Sequence, residues 1–162
     1  PPIMSHDGYS DDTIAAILSK IGKCRILRIA TLAYGDRNIE AMRSWLDTGA
    51  VKEIRLLTSL FHRDHEREMF RETQELFDEH GCTVAATRAH CKVTTLDFGK
   101  AGKYVIEGSA NLRTNSNWEQ FAFYNHAELH DWHGQWIDGQ IEKYEIEEAA
   151  KAQRQRVGKK DR

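Results

Sequence analysis

Two strand-like runs that flank an amphipathic helix constrain the fold of this chain more than any other feature. Residues 24–33 (CRILRIATLA) are apolar and show little alternation, which is typical of a strand covered on both faces. Asp36 can cap a helix whose apolar positions recur at helical spacing and which ends at Gly49. Residues 53–59 (EIRLLTS) then resemble a second short strand. The pattern predicts a β-α-β unit.

The remaining segments extend this unit into a larger arrangement. Further helices are predicted at residues 10–22, at about 62–80 and from about 127 onwards. Further strands are predicted at residues 83–86, 89–98, 103–107 and 120–124. Gly99 and Gly102 mark a hairpin turn between the second and third of these strands. The order predicts an α/β fold in which a mixed β-sheet is flanked by helices on both faces.

A length of 162 residues fits one domain that buries most of its unfolded surface. We assign residues 10–150 to this domain and expect residues 1–9 to form a flexible N-terminus. Residues 151–162 contain six basic side chains and only Val157 as a sizeable apolar one, so we expect a basic, disordered tail.

Charge and cysteine content exclude several classes of protein. The net charge of -2, from 23 basic and 25 acidic side chains, excludes a protein that coats nucleic acid through bulk charge, so a polyanion site must be local. The three cysteines contain no CxxC pair, which fits a reducing compartment, and we expect a cytoplasmic protein. No apolar run reaches the roughly 20 residues needed to cross a bilayer, so we expect no stable membrane association.

One group of polar residues has the composition of a phosphodiester site. His90 and Lys92 alternate along the predicted strand 89–98 and therefore project from the same face. After the hairpin, Ser109 and Asn111 supply neutral hydrogen-bond donors where the next strand ends. Glu119 can hold the imidazole of His90 through its second nitrogen. In this set the imidazole attacks phosphorus, and the cation and neutral donors neutralise the non-bridging oxygens.

These residues resemble the signature of the phospholipase D superfamily, which is H-x-K-x4-D followed by G-S-x-N and an N-x-E segment. The matching residues are His90, Lys92, Asp97, Gly108, Ser109, Asn111, Asn117 and Glu119. Ten residues separate Asp97 from Gly108, where the family usually has about six, so residues 98–107 resemble an extended hairpin. The resemblance covers about residues 10–148 and implies a phospholipase D-like half-domain.

The resemblance also implies a set of roles. His90, Lys92, Ser109, Asn111 and Glu119 become catalytic residues, and the other three matching residues, Asp97, Gly108 and Asn117, give structural support to the site. The family mechanism needs two facing motifs and forms a covalent phosphohistidine. This chain has one motif, so the resemblance implies a homodimer. No metal or other cofactor is needed, because the imidazole replaces a metal-bound hydroxide.

The activity that the resemblance favours is that of an endonuclease acting on DNA or RNA, alone or beside a larger processing or restriction system. The enzymatic alternative is a phospholipid-cleaving enzyme of the phospholipase D type. The non-enzymatic alternative is a nucleic-acid-binding module that keeps the fold and has lost catalysis.

Three other features have more than one interpretation. His126, His130 and His133 have a spacing that could present imidazoles to a metal, but a helix with polar histidines at its margin explains it better. Cys91 is interpreted as a small buried residue rather than a nucleophile. The tail can be a nucleic-acid clamp, a membrane-surface patch or a solubilising end, and the residues of the clamp hypothesis are Lys151, Arg154, Arg156, Lys159 and Lys160.

Overall fold

The structure is a computed structural model that describes residues 2–5, 10–113 and 119–160. Its strands are β1 (Pro2–Ser5), β2 (Ile26–Ala30), β3 (Ile54–Ser59), β4 (Thr83–Thr87), β5 (Val93–Asp97), β6 (Lys103–Gly108) and β7 (Glu119–Asn125). Its helices are α1 (Ser10–Ile21), α2 (Asp36–Asp47), α3 (Leu60–His65), α4 (Arg67–His80) and α5 (Ala127–Lys160).

All seven strands belong to one sheet, in the order β1-β7-β6-β5-β2-β3-β4. β2, β3 and β4 are parallel, and every other neighbouring pair is antiparallel. The predicted β-α-β unit is β2-α2-β3, in which Leu27 pairs with Ile54. The predicted hairpin joins β5 to β6 through a short 3-10 turn, Gly99–Ala101. The prediction of a mixed sheet is therefore confirmed.

Helices cover both faces of this sheet, as predicted. The larger core lies on the face covered by α1, α2 and α4, where side chains such as Leu27 and Leu56 pack with Phe77. The opposite face carries a smaller apolar cluster, in which Leu57 and Ala85 pack against Ile137 of α5. Alternate residues of each central strand are thus buried on opposite faces of the sheet. This explains why these strands do not alternate between apolar and polar residues.

A layer of ion pairs attaches α5 to the sheet. The guanidinium of Arg28 in β2 binds the Asp138 carboxylate through two hydrogen bonds of 2.8 Å each. Arg55 in β3 contacts the same carboxylate at 2.8 Å. A Cβ atom at Gly134 would lie 3.4 Å from Cζ of Arg28, so α5 approaches β2 closely one turn before Asp138. Asp138 therefore bridges two neighbouring strands from the helix above them.

The predicted single helix at 62–80 is wrong, because the segment forms two helices. The hydroxyl of Ser59 accepts a hydrogen bond from the backbone N–H of His62 at 2.9 Å and caps α3, which therefore begins at Leu60. Glu66 has φ −113° and ψ 54°, which is outside the helical region, and separates α3 from α4. The break turns His62 into the core, where its ring lies 4.3 Å from that of Tyr34.

The structure also differs from the sequence prediction at both ends of the chain. Residues 2–5 form an edge strand paired with β7, where residues 1–9 were expected to be flexible. Residues 151–160 continue α5, where a disordered tail was expected. Residues 149–156 (AAKAQRQR) are strong helix formers, and intrinsic propensity can extend a helix without an apolar face to bury. No described helix is both long and apolar enough to cross a membrane.

Candidate active site

The predicted catalytic residues lie at one edge of the sheet. The parallel strands β2, β3 and β4 end at this edge, β6 also ends there, and β5 and β7 begin there. The predicted strand 89–98 is shorter than expected, since β5 begins at Val93. Residues 88–92 instead connect β4 to β5 and pass the ends of β2 and β3, because those two strands lie between them in the sheet. Ligands of open α/β sheets bind at such an edge.

His90 and Lys92 contact each other in this connection. The Lys92 Nζ atom lies 3.0 Å from Nδ1 of His90 and donates a second hydrogen bond to the His90 carbonyl at 3.0 Å. A lysine ammonium has no lone pair, so Nδ1 is the acceptor, and the ring in this arrangement carries its proton on Nε2. His90 is exposed and Lys92 is half-buried. A neutral imidazole and a cation are therefore held side by side and are open to solvent.

Backbone hydrogen bonds connect this pair to the end of β6. The N–H of Gly108 donates to the carbonyl of Lys92 at 3.3 Å, so Ser109 follows directly after the point of contact. A Cβ atom at Gly108 would lie 2.4 Å from the Gln120 carbonyl and 2.8 Å from Cβ of Phe121. Only glycine fits where β6 and β7 approach so closely. This close approach explains the need for glycine directly before Ser109.

Ser109 connects the ends of β6 and β7. Its backbone N–H donates to the Gln120 carbonyl at 2.9 Å, and its hydroxyl accepts from the Gln120 N–H at 3.1 Å. The same hydroxyl donates to the carboxylate of Glu119, which is buried. Glu119 thus orients Ser109 in this structure. Its predicted contact with His90 stays a prediction.

Asn111 lies in a loop that is anchored over the end of β2. The backbone N–H of Leu112 donates to the Thr31 hydroxyl at 3.0 Å, and that of Arg113 donates to the Ala33 carbonyl at 3.3 Å. The Asn111 Oδ1 atom is buried and has no hydrogen-bond partner among the described residues. Buried polar atoms without a partner in the protein are rare.

The predicted supporting residues have different positions. Gly108 lies within the site, as described above. Asp97 lies at the other end of β5, where its carboxylate accepts a hydrogen bond of 2.7 Å from the N–H of Gly99. The contact seen for Asp97 therefore stabilises the hairpin turn. Asn117 lies outside the described residues.

The three predicted histidines, His126 directly before α5 and His130 and His133 within it, have separate structural partners. His126 accepts a hydrogen bond from the backbone N–H of Leu129 at 3.1 Å, and Nδ1 of His130 lies 2.9 Å from the Asp131 carboxylate. Burial lowers the pKa of His130, although Asp131 acts in the opposite direction. Over residues 2–5, 10–113 and 119–160, no three His, Cys, Asp or Glu side chains form a group that could hold a metal ion.

His133 has a partner on each ring nitrogen. The indole N–H of Trp136 donates to Nδ1 at 2.9 Å, and Nε2 lies 2.6 Å from the Glu107 carboxylate. Because the indole can only donate, Nδ1 has no proton, and Nε2 donates to Glu107. Both nitrogens are thus occupied within the protein, which supports the structural interpretation of the helical histidines.

Cys91 is partly buried and packs against the apolar cluster under α5. Burial raises the pKa of its thiol, so little of the thiolate forms near neutral pH. This environment agrees with the interpretation of Cys91 as a packing residue.

A cleft next to the end of the sheet that carries His90 contains basic residues, most of which the sequence patterns did not indicate. It has a volume of about 560 Å³ and lies between α3, the end of β4 and α5. Its lining includes Leu60, Arg63, Arg88, Lys143, Tyr144 and Lys151. We call it the β4 cleft. A sequence signal was available for Arg88, which stands two residues before His90, and for Lys151, which belongs to the clamp hypothesis.

Three tail residues of the clamp hypothesis have side chains that the structure describes. Lys151 lines the β4 cleft and contacts Glu148 at 2.7 Å, and Arg154 and Arg156 are exposed on α5. The backbone of residues 159 and 160 continues the helix, and the side chains of Lys159 and Lys160 lie outside the described part of the chain.

Comparison with known proteins identifies the fold. No protein-family model and no curated protein sequence matches the chain. Among solved structures, it is similar to a phospholipase D family member, Nuc from Salmonella typhimurium, with a TM-score of 0.57 and 14% identity over 86% of this chain and 94% of that chain.

Two further solved structures give similar scores. One is TrmBL2, an archaeal chromatin protein that binds DNA, with a TM-score of 0.56 and 13% identity over 88% of this chain and 52% of that chain. The other is phosphatidylserine synthase from Haemophilus influenzae Rd KW20, with a TM-score of 0.56 and 10% identity over 88% of this chain and 38% of that chain. At these identities the likeness shows the fold alone, and this fold is similar to that of the phospholipase D family member.

Proposed function

We propose that this chain, which has a phospholipase D-like fold, is a metal-independent phosphodiesterase that cleaves DNA or RNA. The observation that carries the proposal is the contact between His90 and Lys92, held beside Ser109 by the backbone hydrogen bond from Gly108 to Lys92. A pure binding site needs cations, but it does not need an exposed imidazole beside one. The similarity to a phospholipase D family member and to phosphatidylserine synthase supports a phosphoryl-transfer function.

The first step is attack by His90 on phosphorus. When the diester binds, Lys92 turns its ammonium from Nδ1 to a non-bridging oxygen, and the ring carries its proton on Nδ1. The free Nε2 lone pair forms a bond to phosphorus while the bond to the leaving oxygen breaks, which gives a covalent phosphohistidine. The leaving oxygen takes a proton from His90 of the partner subunit. Water then attacks phosphorus, the P–N bond breaks, and His90 of the partner subunit receives the proton of the water.

Ser109, Asn111 and Glu119 assist this reaction without forming bonds to phosphorus. The hydroxyl of Ser109 and the amide of Asn111 donate to the non-bridging oxygens, whose negative charge grows as the nucleophile approaches. Before the diester binds, the Glu119 carboxylate accepts a hydrogen bond from the Ser109 hydroxyl. The carboxylate also stabilises positive charge on the attacking imidazole.

The proposed enzyme is a homodimer, because one motif supplies a nucleophile but no separate general acid. A two-fold axis would place the two His90 side chains opposite each other. We expect sedimentation velocity to show a dimer at micromolar concentration in protein that turns over a small diester. A monomer that is fully active under those conditions would contradict the shared site.

The direct test of the proposed function is incubation with nucleic acid in EDTA. We expect the purified protein to cleave single- or double-stranded DNA or RNA, and the small diester bis-p-nitrophenyl phosphate, without a divalent metal. An absolute requirement for added Mg²⁺ or Zn²⁺ would contradict the imidazole mechanism.

The alternative is a nucleic-acid-binding module without catalysis, which the similarity to a DNA-binding chromatin protein favours. A gel assay distinguishes the two functions, because the module shifts the mobility of a labelled oligonucleotide without shortening it. Phospholipid vesicles in the same assay test the lipid alternative.

A further inference from the structure

We infer that the β4 cleft binds the phosphates of a single-stranded nucleic acid next to His90, with a base stacked on Phe61. This inference rests on the proposed function and specifies its substrate class. The cleft lies at the catalytic edge, since Arg88 is two residues from His90 in the same connection and Leu60 follows directly after β3.

The charge of the cleft differs in sign from that of the chain. Arg63, Arg88, Lys143 and Lys151 line it together with two carboxylates, Glu147 and Glu148, so the local balance is four positive against two negative charges. The whole chain has a formal charge of -2. Cations concentrated beside a phosphodiester site attract and hold a polyanion.

Two of the four cations are available for phosphate. Lys151 is paired with Glu148 at 2.7 Å, and Arg63 is paired with Asp64 at 2.8 Å. Arg88 and Lys143 are exposed and make no ion pair or hydrogen bond through their side chains within the described residues. Arg88 follows β4 and Lys143 lies in α5, so the two available cations belong to different sides of the cleft and can each contact a phosphate.

The exposed ring of Phe61 is the reason why we infer a single-stranded rather than a double-stranded ligand. It stands beside the lining residue Leu60 in α3, its side chain is 65% exposed, and its ring stacks on that of His65 at 4.0 Å. A large exposed aromatic ring beside a basic groove is the arrangement on which unpaired bases stack. Bases within a duplex are already stacked on their neighbours, so this ring favours single strands over duplexes.

The test measures binding of a fluorescent single-stranded oligonucleotide over a range of salt concentrations. For Arg88→Gln/Lys143→Gln we expect weaker binding and a salt slope smaller by about 1.4, because each lost phosphate contact removes about 0.7. The matched control is Lys20→Gln/Arg43→Gln, which removes two exposed cations from α1 and α2 on the other face of the sheet. We expect the control to keep the wild-type slope.

The stacking contact is tested separately with Phe61→Ala. We expect its affinity for a single strand to fall roughly tenfold, in the range found for base stacking on aromatic side chains, and its affinity for a duplex to stay the same. Trp132→Ala is the control, because Trp132 is similarly exposed, at 61%, but lies in α5 between Asp131 and His133, neither of which lines the cleft, whereas Phe61 directly follows the lining residue Leu60.

The outcomes separate this inference from the proposed function. If the cleft variants bind single strands with wild-type affinity and slope, the inference is wrong, even if the protein cleaves diesters. If Phe61→Ala weakens duplex binding as much as single-strand binding, the assignment to single strands is wrong. If the wild type cleaves no diester but the cleft variants lose binding as expected, the proposed catalysis fails and the binding site remains.

Discussion

His90→Ala is expected to lose turnover of bis-p-nitrophenyl phosphate by at least about 10⁴-fold, the scale of loss seen when a covalent nucleophile is removed. The substitution removes the atom that bonds to phosphorus. The neighbouring thiol of Cys91 is a poor replacement, since burial raises its pKa. Initial rates at saturating substrate measure the effect.

Oligonucleotide binding by the same variant should remain near the wild-type level, because Lys92 and Ser109 are unchanged. The control is His80→Ala, which removes a histidine at the end of α4 that contacts Asp47 at 3.2 Å. We expect the control to keep its activity. If His90→Ala retains a tenth of the wild-type rate, His90 is not the nucleophile.

Asp138→Asn is expected to lower the free energy of unfolding by about 2–3 kcal/mol at pH 7. Removing one partner of a buried ion pair leaves the remaining charge unpaired and costs about 3–5 kcal/mol. We expect a smaller cost of about 2–3 kcal/mol here, because the Asp138 side chain is 31% exposed to solvent. Both Arg28 and Arg55 lose their shared carboxylate. Urea unfolding followed by circular dichroism measures the change.

The effect of Asp138→Asn should depend on pH. Burial alone would raise the pKa of the Asp138 carboxyl, but hydrogen bonds from Arg28 and Arg55 hold it below its usual range. A carboxyl whose pKa is lowered by folding contributes stability above its unfolded pKa, about 3.9, and loses that contribution as the pH falls through the folded value. The difference between wild type and variant should therefore be full at pH 7 and shrink below about pH 4.

The matched control is Asp12→Asn, which removes the carboxylate of an exposed pair with Arg37, where Asp12 is 75% exposed. Exposed pairs contribute about 0–1 kcal/mol, so we expect a change of less than 1 kcal/mol. Equal effects of the two substitutions would mean that the Asp138 pairs do not hold α5 on the sheet.

Local patterns predicted the elements that depend on neighbouring residues. The helix that ends before Gly81 and the hairpin between β5 and β6 were found because glycine adopts positive φ there, 66° at Gly81 and 62° at Gly99. The error at 62–80 has a local cause as well. Residues 62–68 (HRDHERE) contain no apolar side chain, so the apolar period, which begins at Met69, could not record the break at Glu66, and the Ser59 cap sets the start of α3.

The candidate site was predictable as a set of residues but not as a set of contacts. The spacing of His90, Lys92 and Ser109 indicated the chemistry. The hydrogen bond from the Ser109 hydroxyl to the Glu119 carboxylate depends on the pairing of β6 with β7. The placement of Lys92 beside Gly108 depends in the same way on the pairing of β5 with β6.

The sequence by itself determined the fold class and the order of the predicted helices and strands, and it supplied the candidate residues of a phosphodiester site, because each depends on composition or spacing over a few residues. Only the tertiary structure decided which distant residues meet. Arg28 and Asp138 are 110 residues apart, and the β4 cleft gathers Arg63 from α3, Arg88 from the connection between β4 and β5, and Lys143 from α5. Strand order brings such residues together. The strand order is set by the burial of both faces of the sheet over the whole chain, and the local spacing of apolar residues does not determine it.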